Sequence, residues 1–327
     1  MTSTPLFSII IPVRQTNPYL QETLSKLKTQ SLHNFEILVI DDRLSGTANP
    51  SQKRNLGAAK ARGQYLVFFD DDSFPTANYF KNATKLVKKY SNYAAFCGPC
   101  LTPKQDDLYQ QASGLVWSSY LGSGGAGVYR NRISSARFVD DYPSVNLIVK
   151  KTDFNRAGKF DTNYWPGEDT VLCLNLTKKL HQKIYYHPSL RVYHHRRRVL
   201  IPHLQQITRY AIQRGYFVKK FPQTSLKLGY FLPSLFFIYC LFLIVIFFTL
   251  HQQIFYLPLY LYLSILLITS IKFIIDKHHL QTVLLATITI PITHLYYGIL
   301  FLHGLTKKGV SFKAHQVDPK TGHYIGG

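Results

Sequence analysis

The stretch YLVFFDDD (residues 65–72) decides the fold of this chain. Its first five residues are a short continuous apolar run, which is typical of a parallel strand that is buried on both faces. The run ends directly in the carboxylates of Asp70, Asp71 and Asp72. The pattern therefore predicts a buried strand with an acidic cluster at its carboxyl end.

The same arrangement of an apolar run with a polar end occurs twice earlier, in FSIIIP (7–12) and FEILVID (35–41). Residues 17–29 and 78–90 show apolar residues at helical spacing. This alternation of strands and helices predicts an α/β fold with a parallel, doubly wound sheet. In such sheets ligands bind beyond the carboxyl ends of the strands, where the acidic residues fall.

Three adjacent carboxylates at Asp70, Asp71 and Asp72 repel one another unless a cation is present. Oxygen ligands of this kind suit Mg²⁺ or Mn²⁺ that bridges a substrate diphosphate. A solvated turn is the alternative for an isolated triplet, and the preceding apolar strand favours the metal site.

Two further groups lie near the expected binding edge. Asp41 and Asp42 end the second strand, where they would contact a ligand or cap the next turn. Lys53 and Arg54 precede a short helical stretch and would present cations to phosphates near a helix N-terminus.

Later in the chain, Glu168 and Asp169 open an apolar stretch with helical character. They would either cap that helix or provide a general base that deprotonates an acceptor hydroxyl. About 25 residues further on, a neutral His194 imidazole would complete a metal site. The basic residues after it would hold a leaving diphosphate or lipid phosphates, namely Arg196, Arg197 and Arg198.

Charge is distributed unevenly along the 327 residues, whose formal net charge is +21. Fifteen of the 17 acidic residues precede residue 170, whereas the 38 basic residues divide into 20 before that point and 18 after it. This asymmetry excludes an evenly basic nucleic-acid coat protein, and we expect no nucleic-acid partner. The four scattered cysteines and the absence of a signal-peptide pattern indicate a cytoplasmic start.

The C-terminal third contains long apolar stretches, each of sufficient length to cross a bilayer core of about 30 Å. The expected transmembrane helices are residues 229–250, 254–275 and, more weakly, 280–303. A basic stretch precedes them and predicts an amphipathic helix on an anionic cytoplasmic membrane surface. The predicted organisation is a catalytic domain (1–200), an interfacial segment (201–225), a membrane domain (226–305) and a polar tail (306–327).

In combination these motifs resemble glycosyltransferase family 2, whose members are inverting, membrane-associated enzymes with the GT-A fold. The resemblance covers about residues 7–221 and is closest to the branch of succinoglycan-type exopolysaccharide transferases. The motifs that carry it, in order, are FSIIIPV (7–13), VIDD (39–42), RNLG (54–57), FDDD (69–72), the glycine-rich stretch 118–130 with VD (139–140), FD (160–161), GED (167–169) and VYH (192–194).

The resemblance implies a role for each matching residue. Asp169 would be the catalytic base, with Glu168 orienting the acceptor or the base. Asp72, Asp70 and His194 would hold Mg²⁺ or Mn²⁺. The nucleotide sugar would bind at Pro12, Asp41, Arg54, Asp70 and Asp71.

The implied function is the transfer of one sugar from a nucleotide-sugar donor to a membrane-associated acceptor, such as a polyprenyl-phosphate or a lipid-linked saccharide. The protein would then lie in the cell membrane as a multi-pass protein with a cytoplasmic catalytic domain. A processive polysaccharide synthase is the nearest enzymatic alternative, although the basic-aromatic acceptor motif of such synthases is not evident. A transport or interaction protein without catalysis is the alternative of another class.

Overall fold

The protein is described here by a computed structural model that covers residues 4–249, 252–310, 316–318 and 324–325. Residue 250 of the first predicted span and most of the predicted tail 306–327 lie outside the described residues.

The strands are β1 (Phe7–Pro12), β2 (Phe35–Ile40), β3 (Tyr65–Phe68), β4 (Ser73–Pro75), β5 (Ala95–Cys97), β6 (Cys100–Leu101), β7 (Arg137–Val139), β8 (Leu147–Lys150), β9 (Ile184–Tyr186), β10 (Val192–His194), β11 (Gln316–Val317) and β12 (Tyr324–Ile325). The α-helices are α1 (Pro18–Lys28), α2 (Asp42–Ser45), α3 (Pro50–Lys60), α4 (Tyr79–Lys89), α5 (Leu108–Ser118), α6 (Tyr120–Asn131), α7 (Lys151–Arg156), α8 (Glu168–Leu174), α9 (Ile201–Lys220), α10 (Pro222–Ser225), α11 (Leu228–Thr249), α12 (Leu257–Ile275) and α13 (Leu280–Thr306).

The chain divides into two compact units that interleave along the sequence. The first, called the sheet unit, comprises the described residues within Met1–Leu101, Ile133–His194 and Ser311–Gly327. The second, called the helical unit, comprises Thr102–Arg132 and His195–Val310.

The sheet unit contains a seven-stranded sheet of order β2-β1-β3-β8-β5-β9-β7. The three strands predicted from the sequence, β1 to β3, are parallel to one another, as expected. The whole sheet is mixed, however, because β8 enters antiparallel between β3 and β5. A core of fully buried apolar side chains, among them Phe7, Ile9, Val67 and Phe96, packs around this sheet.

A second, smaller sheet of the same unit has the order β4-β10-β6. Its β10 runs antiparallel to β4, in a register that places His194 opposite Ser73. This pairing joins two segments more than a hundred residues apart at the point where β3 ends.

In the helical unit, α11, α12 and α13 are each long and apolar enough to cross a membrane. The amphipathic α9 packs along α13 in the same chain direction. His203 hydrogen-bonds with the Thr293 hydroxyl at 3.0 Å, and Lys219 Nζ donates to the Lys307 carbonyl at 2.9 Å. In between, Gly215 lies against the backbone of Phe301, an approach that leaves no room for a side chain.

Helices α5 and α6 come from the first half of the sequence but belong to the helical unit. Ala112, Leu115 and Val116 of α5 cluster with Val283 and Ala286 of α13. Helix α6 is kinked at Gly124, whose φ of 64° lies in the left-handed region that glycine adopts readily. The glycine-rich stretch therefore forms a kinked helix of the helical unit.

Candidate functional site

The carboxyl ends of the first three strands lie side by side in the sheet unit. Pro12 at the end of β1 pairs with Ile40 at the end of β2, and Ile10 pairs with Phe68 at the end of β3. The sequence-predicted groups that follow these strands therefore meet at one edge of the sheet, as the topology rule requires.

A tight turn follows β3 and is held by a residue that sequence reasoning missed, Ser73. The Asp70 amide donates to the Ser73 hydroxyl at 3.1 Å, and that hydroxyl donates to the Asp70 carbonyl at 2.9 Å. Ser73 is fully buried. These bonds fix the backbone that carries the acidic triplet.

His194 completes a three-residue cluster at this turn. Its Nε2 lies 3.2 Å from Asp72 Oδ1, and ligand atoms of Asp70, Asp72 and His194 all lie within 4.8 Å of one another. Two carboxylates and an imidazole are a donor set that divalent cations accept. The cluster thus fits a divalent metal ion.

Asp71 takes no part in that cluster. Its Oδ2 accepts a hydrogen bond of 2.6 Å from Asn17, the N-cap residue of α1, and its carbonyl accepts one from Thr23. Burial, followed by the charge of Asp72, raises the pKa of the Asp71 carboxyl. Asp71 therefore anchors the turn to α1, whereas its two neighbours form the cluster.

Arg54 connects the cluster to the start of α8. Its Nη2 lies 2.5 Å from Asp70 Oδ1 and its Nη1 lies 2.9 Å from Glu168 Oε1. The guanidinium is buried and stands 5.8 Å from the ring centroid of Phe160. A planar, permanently charged fork is suited to hold two carboxylates at a fixed separation.

Glu168 is itself buried and accepts a hydrogen bond of 2.9 Å from the Gly167 amide. Burial and the neighbouring Asp169 charge raise the pKa of Glu168 to about 7, against the opposing effect of Arg54. Asp169 is only partly buried and lies in the first turn of α8. Its Oδ1 accepts from the Thr170 amide at 2.8 Å, and its Oδ2 lies 3.4 Å from the Ser144 amide.

At the end of β2, Asp41 serves as the N-cap of α2, because its Oδ1 accepts a 2.6 Å hydrogen bond from the Leu44 amide. The expectation that Lys53 presents its charge to phosphates is corrected by the structure. The Lys53 ammonium is buried, pairs with Asp42 and donates to the Val13 carbonyl at 2.7 Å. Burial lowers its pKa.

The three predicted phosphate-binding arginines belong to the helical unit. Arg196 is buried, with its Nε 3.4 Å from the Thr102 hydroxyl. Arg198 Nε lies 3.1 Å from Asp107, and Arg197 is exposed. The sheet unit therefore gathers Pro12, Asp41, Arg54, Asp70 to Asp72, Glu168, Asp169 and His194, whereas the arginines stand in the other unit.

Curated proteins similar to this chain include two glycosyltransferases. One is the GalNAc(5)-diNAcBac-PP-undecaprenol beta-1,3-glucosyltransferase of Campylobacter jejuni, 22% identical over 58% of this chain and 64% of its own length. The other is an uncharacterized glycosyltransferase of Haemophilus influenzae, 30% identical over 28% of this chain and 48% of its own. The chain thus spans less than two thirds of either relative.

Among solved structures, the mannosyltransferase PcManGT from Pyrobaculum calidifontis, in complex with GDP-Man and Mn²⁺, has the same fold. The TM-score is 0.51 with 15% identity, over 94% of this chain and 89% of that one. Residues 43–132 match the family model described as glycosyl transferase family 2. Together with the GT-A-like sheet and the acidic cluster, these matches support a glycosyltransferase of family 2.

Proposed function

We propose that this protein transfers one sugar, with inversion, from a nucleotide-sugar donor to a lipid-linked saccharide or polyprenyl phosphate. The observation that carries this proposal is the double contact of Arg54 with Asp70 and Glu168. It holds Asp70, a candidate metal ligand, close to Glu168, the residue before the candidate base Asp169. A displacement at the anomeric carbon requires both functions close together.

The donor would bind along the joined strand ends. Pro12 and Asp41 would line the site of the nucleotide base, and Arg54 would face the base or the diphosphate. Asp70 would lie beside the ribose, and Asp71, whose carboxylate accepts from Asn17, would support the nucleotide-sugar site through the turn that it anchors. Since Asp41 Oδ1 already caps α2, the contact to the base would use the remaining carboxylate oxygen.

Asp70, Asp72 and His194 would hold Mg²⁺ or Mn²⁺, the ions that suit carboxylate ligands. When bound, the ion neutralises charge on the leaving diphosphate, the kind of electrostatic stabilisation that is commonly the largest catalytic term.

Asp169 would remove the proton from the attacking hydroxyl, because it is the carboxylate at the start of α8 that retains exposure. Glu168 would act as a positioning residue, since its buried carboxylate holds Arg54 rather than facing a substrate. Base catalysis of this kind contributes about 10²–10⁴-fold to the rate.

The helical unit supports a membrane-associated acceptor. Its three apolar helices follow a basic amphipathic α9, which would lie on anionic lipid at the cytoplasmic face of a cell membrane as part of a multi-pass protein. Arg196, Arg197 and Arg198 would bind a diphosphate or a lipid phosphate there, and exposed Arg197 would make the first contact. The lipid-linked name of the Campylobacter relative agrees with such an acceptor.

The test is a panel of UDP- and GDP-sugars incubated with the purified full chain, Mn²⁺ or Mg²⁺ and an extract of polyprenyl-linked saccharides. We expect one donor to give a product longer by one sugar, with the anomeric configuration inverted by NMR. No transfer from any donor would contradict the proposal, and a ladder of products would favour a processive synthase.

A further inference from the structure

The C-terminal segment 316–318 returns to the sheet unit at the loop that follows β2. The Val317 amide donates a 2.9 Å hydrogen bond to the Gly46 carbonyl, and Gln316 forms an antiparallel bridge with Thr47. Val317 is only 2% exposed. The same strand, β11, also pairs with β12. The contact is therefore a small sheet built onto a loop, with a buried side chain at its centre.

That loop carries Asp41 at its other end. The Ser45 hydroxyl stands 2.7 Å from the Asp41 carbonyl and 3.0 Å from the Thr47 carbonyl, so it ties both ends of the loop together. Gly46 has a φ of 67° and ends α2 in the left-handed region. Its carbonyl is the acceptor that Val317 uses. Two hydrogen bonds, joined by the peptide bond between Ser45 and Gly46, thus link Val317 to the Asp41 carbonyl.

We propose that segment 316–318 is a positioning element of the donor site, which holds the α2 loop so that Asp41 faces the nucleotide. This inference rests on the proposed function, in which Asp41 contacts the base. A helix of four residues such as α2 has little stability of its own, because helix nucleation is unfavourable. The strand from the other end of the chain provides the missing support.

The contact also constrains the membrane topology. The chain leaves the sheet unit at His194, passes through the helical unit and is back in the sheet unit at Gln316, the next described residue after Val310. A single folded unit lies on one side of a membrane, so an even number of helices must cross between these points.

Helix α13 is the least apolar and the most buried of the three candidates. It packs along α9, and it also hydrogen-bonds to α12 and to α11. Placing Lys307 and Lys308 on the cytoplasmic side also satisfies the preference of basic residues for that side.

The first test uses Val317→Asp, which places a charge in a buried position, and Val317→Pro, which removes the amide donor, fixes φ and replaces the buried side chain. Val310→Asp is the matched control, since it makes the same change ahead of the segment. UDP and GDP, each with Mn²⁺, serve as probes by calorimetry, and KM and kcat are measured for the best donor.

We expect both Val317 variants to weaken nucleotide affinity and raise the donor KM by about fivefold, the factor that corresponds to one typical hydrogen bond. The kcat value and the properties of Val310→Asp should stay at those of the wild type. Amide exchange of residues 42–47 should accelerate in the Val317 variants alone. Unchanged affinity and exchange in folded Val317 variants would overturn the inference. If the wild type binds neither nucleotide, the proposed function fails, and the positioning role fails with it. The amide-exchange data would still show whether segment 316–318 contacts residues 42–47.

The second test asks on which side each end lies. Epitope tags at the N-terminus and at the C-terminus of the full chain are exposed to protease in sealed inverted membrane vesicles. We expect both tags to be cleaved from the same side. Protection of the C-terminal tag alone would overturn the docking of segment 316–318, without bearing on sugar transfer.

Discussion

Arg54 and Glu168 form an ion pair of 2.9 Å in the interior of the sheet unit, with only 6% of each side chain exposed. Removing one partner of such a pair leaves the other charge buried without compensation, which is costly. Because Arg54 also contacts Asp70, it links the start of α8 to the candidate metal ligands. The geometry of the site therefore depends on one guanidinium.

Replacing Arg54 with Lys should impair the site even though the charge is kept, because an ammonium cannot reproduce the fork that reaches two carboxylates. We expect the donor KM to rise by about tenfold or more, the equivalent of one charge-assisted hydrogen bond. Steady-state kinetics would measure this. Arg62→Lys is the matched control, since Arg62 makes a single pair with Glu36 and is 65% exposed. Equal effects of both changes would argue against the role of Arg54.

Replacing Asp169 with Asn should separate binding from chemistry. Asn keeps the size and most hydrogen-bonding capacity of the side chain but cannot accept the hydroxyl proton. The kcat value should fall by about 10²–10⁴-fold, while donor affinity measured by calorimetry stays unchanged. A variant with full turnover would remove Asp169 as the base.

The acidic triplet should respond unevenly to substitution. Asp72→Asn removes a member of the cluster and should weaken Mn²⁺ binding by at least about tenfold, the loss seen when even outer-shell partners are removed. Asp71→Asn should keep the metal affinity, because Asp71 faces Asn17 instead. Mn²⁺ titration followed by electron paramagnetic resonance distinguishes the two. EDTA should abolish transfer by the wild type, and equal metal affinities for the two variants would contradict the assigned cluster.

The buried Glu168 predicts a pH-dependent contribution to stability. Its pKa is raised from 4.5 to about 7, so the folded protein binds this proton more tightly than the unfolded chain does. The contribution is full below pH 4.5 and is lost as the pH rises through about 7. Glu168→Gln does not titrate, so the Tm of the wild type should fall relative to this variant across that range.

Glu36→Gln provides the control of opposite sign. Burial opposes ionisation of Glu36, but hydrogen bonds from Ser8 and Arg62 outweigh it and lower its pKa. The stability that the ionised group contributes is present above its ordinary pKa of 4.5 and is lost as the pH falls below it. For each variant the measured quantity is the difference in Tm between wild type and variant as a function of pH. If this difference changed with pH in the same direction for Glu168→Gln and Glu36→Gln, the assigned pKa shifts of Glu168 and Glu36 would be contradicted.

Much of the site was predictable because it depends on local pattern. Apolar runs located β1, β2 and β3, and the rule that ligands bind at carboxyl ends placed Asp41 and Asp70 at one edge. The different roles within the triplet could not be predicted in this way, because Asp71 and Asp72 lie in a turn, where side chains do not alternate as they do in a strand.

The remaining features depend on pairings between distant segments, which local pattern does not encode. The antiparallel entry of β8 and the register of His194 opposite Ser73 are decided by packing of the whole sheet. The same holds for α5 and α6, whose sequence neighbours lie in the sheet unit although their apolar faces pack with α13. The buried ion pair of Lys53 with Asp42 was not predictable either, because the sequence does not show that Asp42 is buried whereas Asp41 is not.

The contact between α9 and α13 predicts unequal effects of substituting two glycines. A methyl group at Gly215 would collide with the carbonyl of Phe301 and the backbone of Gly304, neither of which can move without displacing α13. We expect Gly215→Ala to lower the free energy of unfolding of the helical unit by about 1–3 kcal/mol, as overpacking does.

Gly229→Ala is the matched control, because nothing lies within 4 Å of its added Cβ. That change should be neutral, or stabilise α11 by up to about 1 kcal/mol through helix propensity. Thermal unfolding in detergent measures both, and a Gly215→Ala variant as stable as Gly229→Ala would show that the two helices do not approach as closely as described.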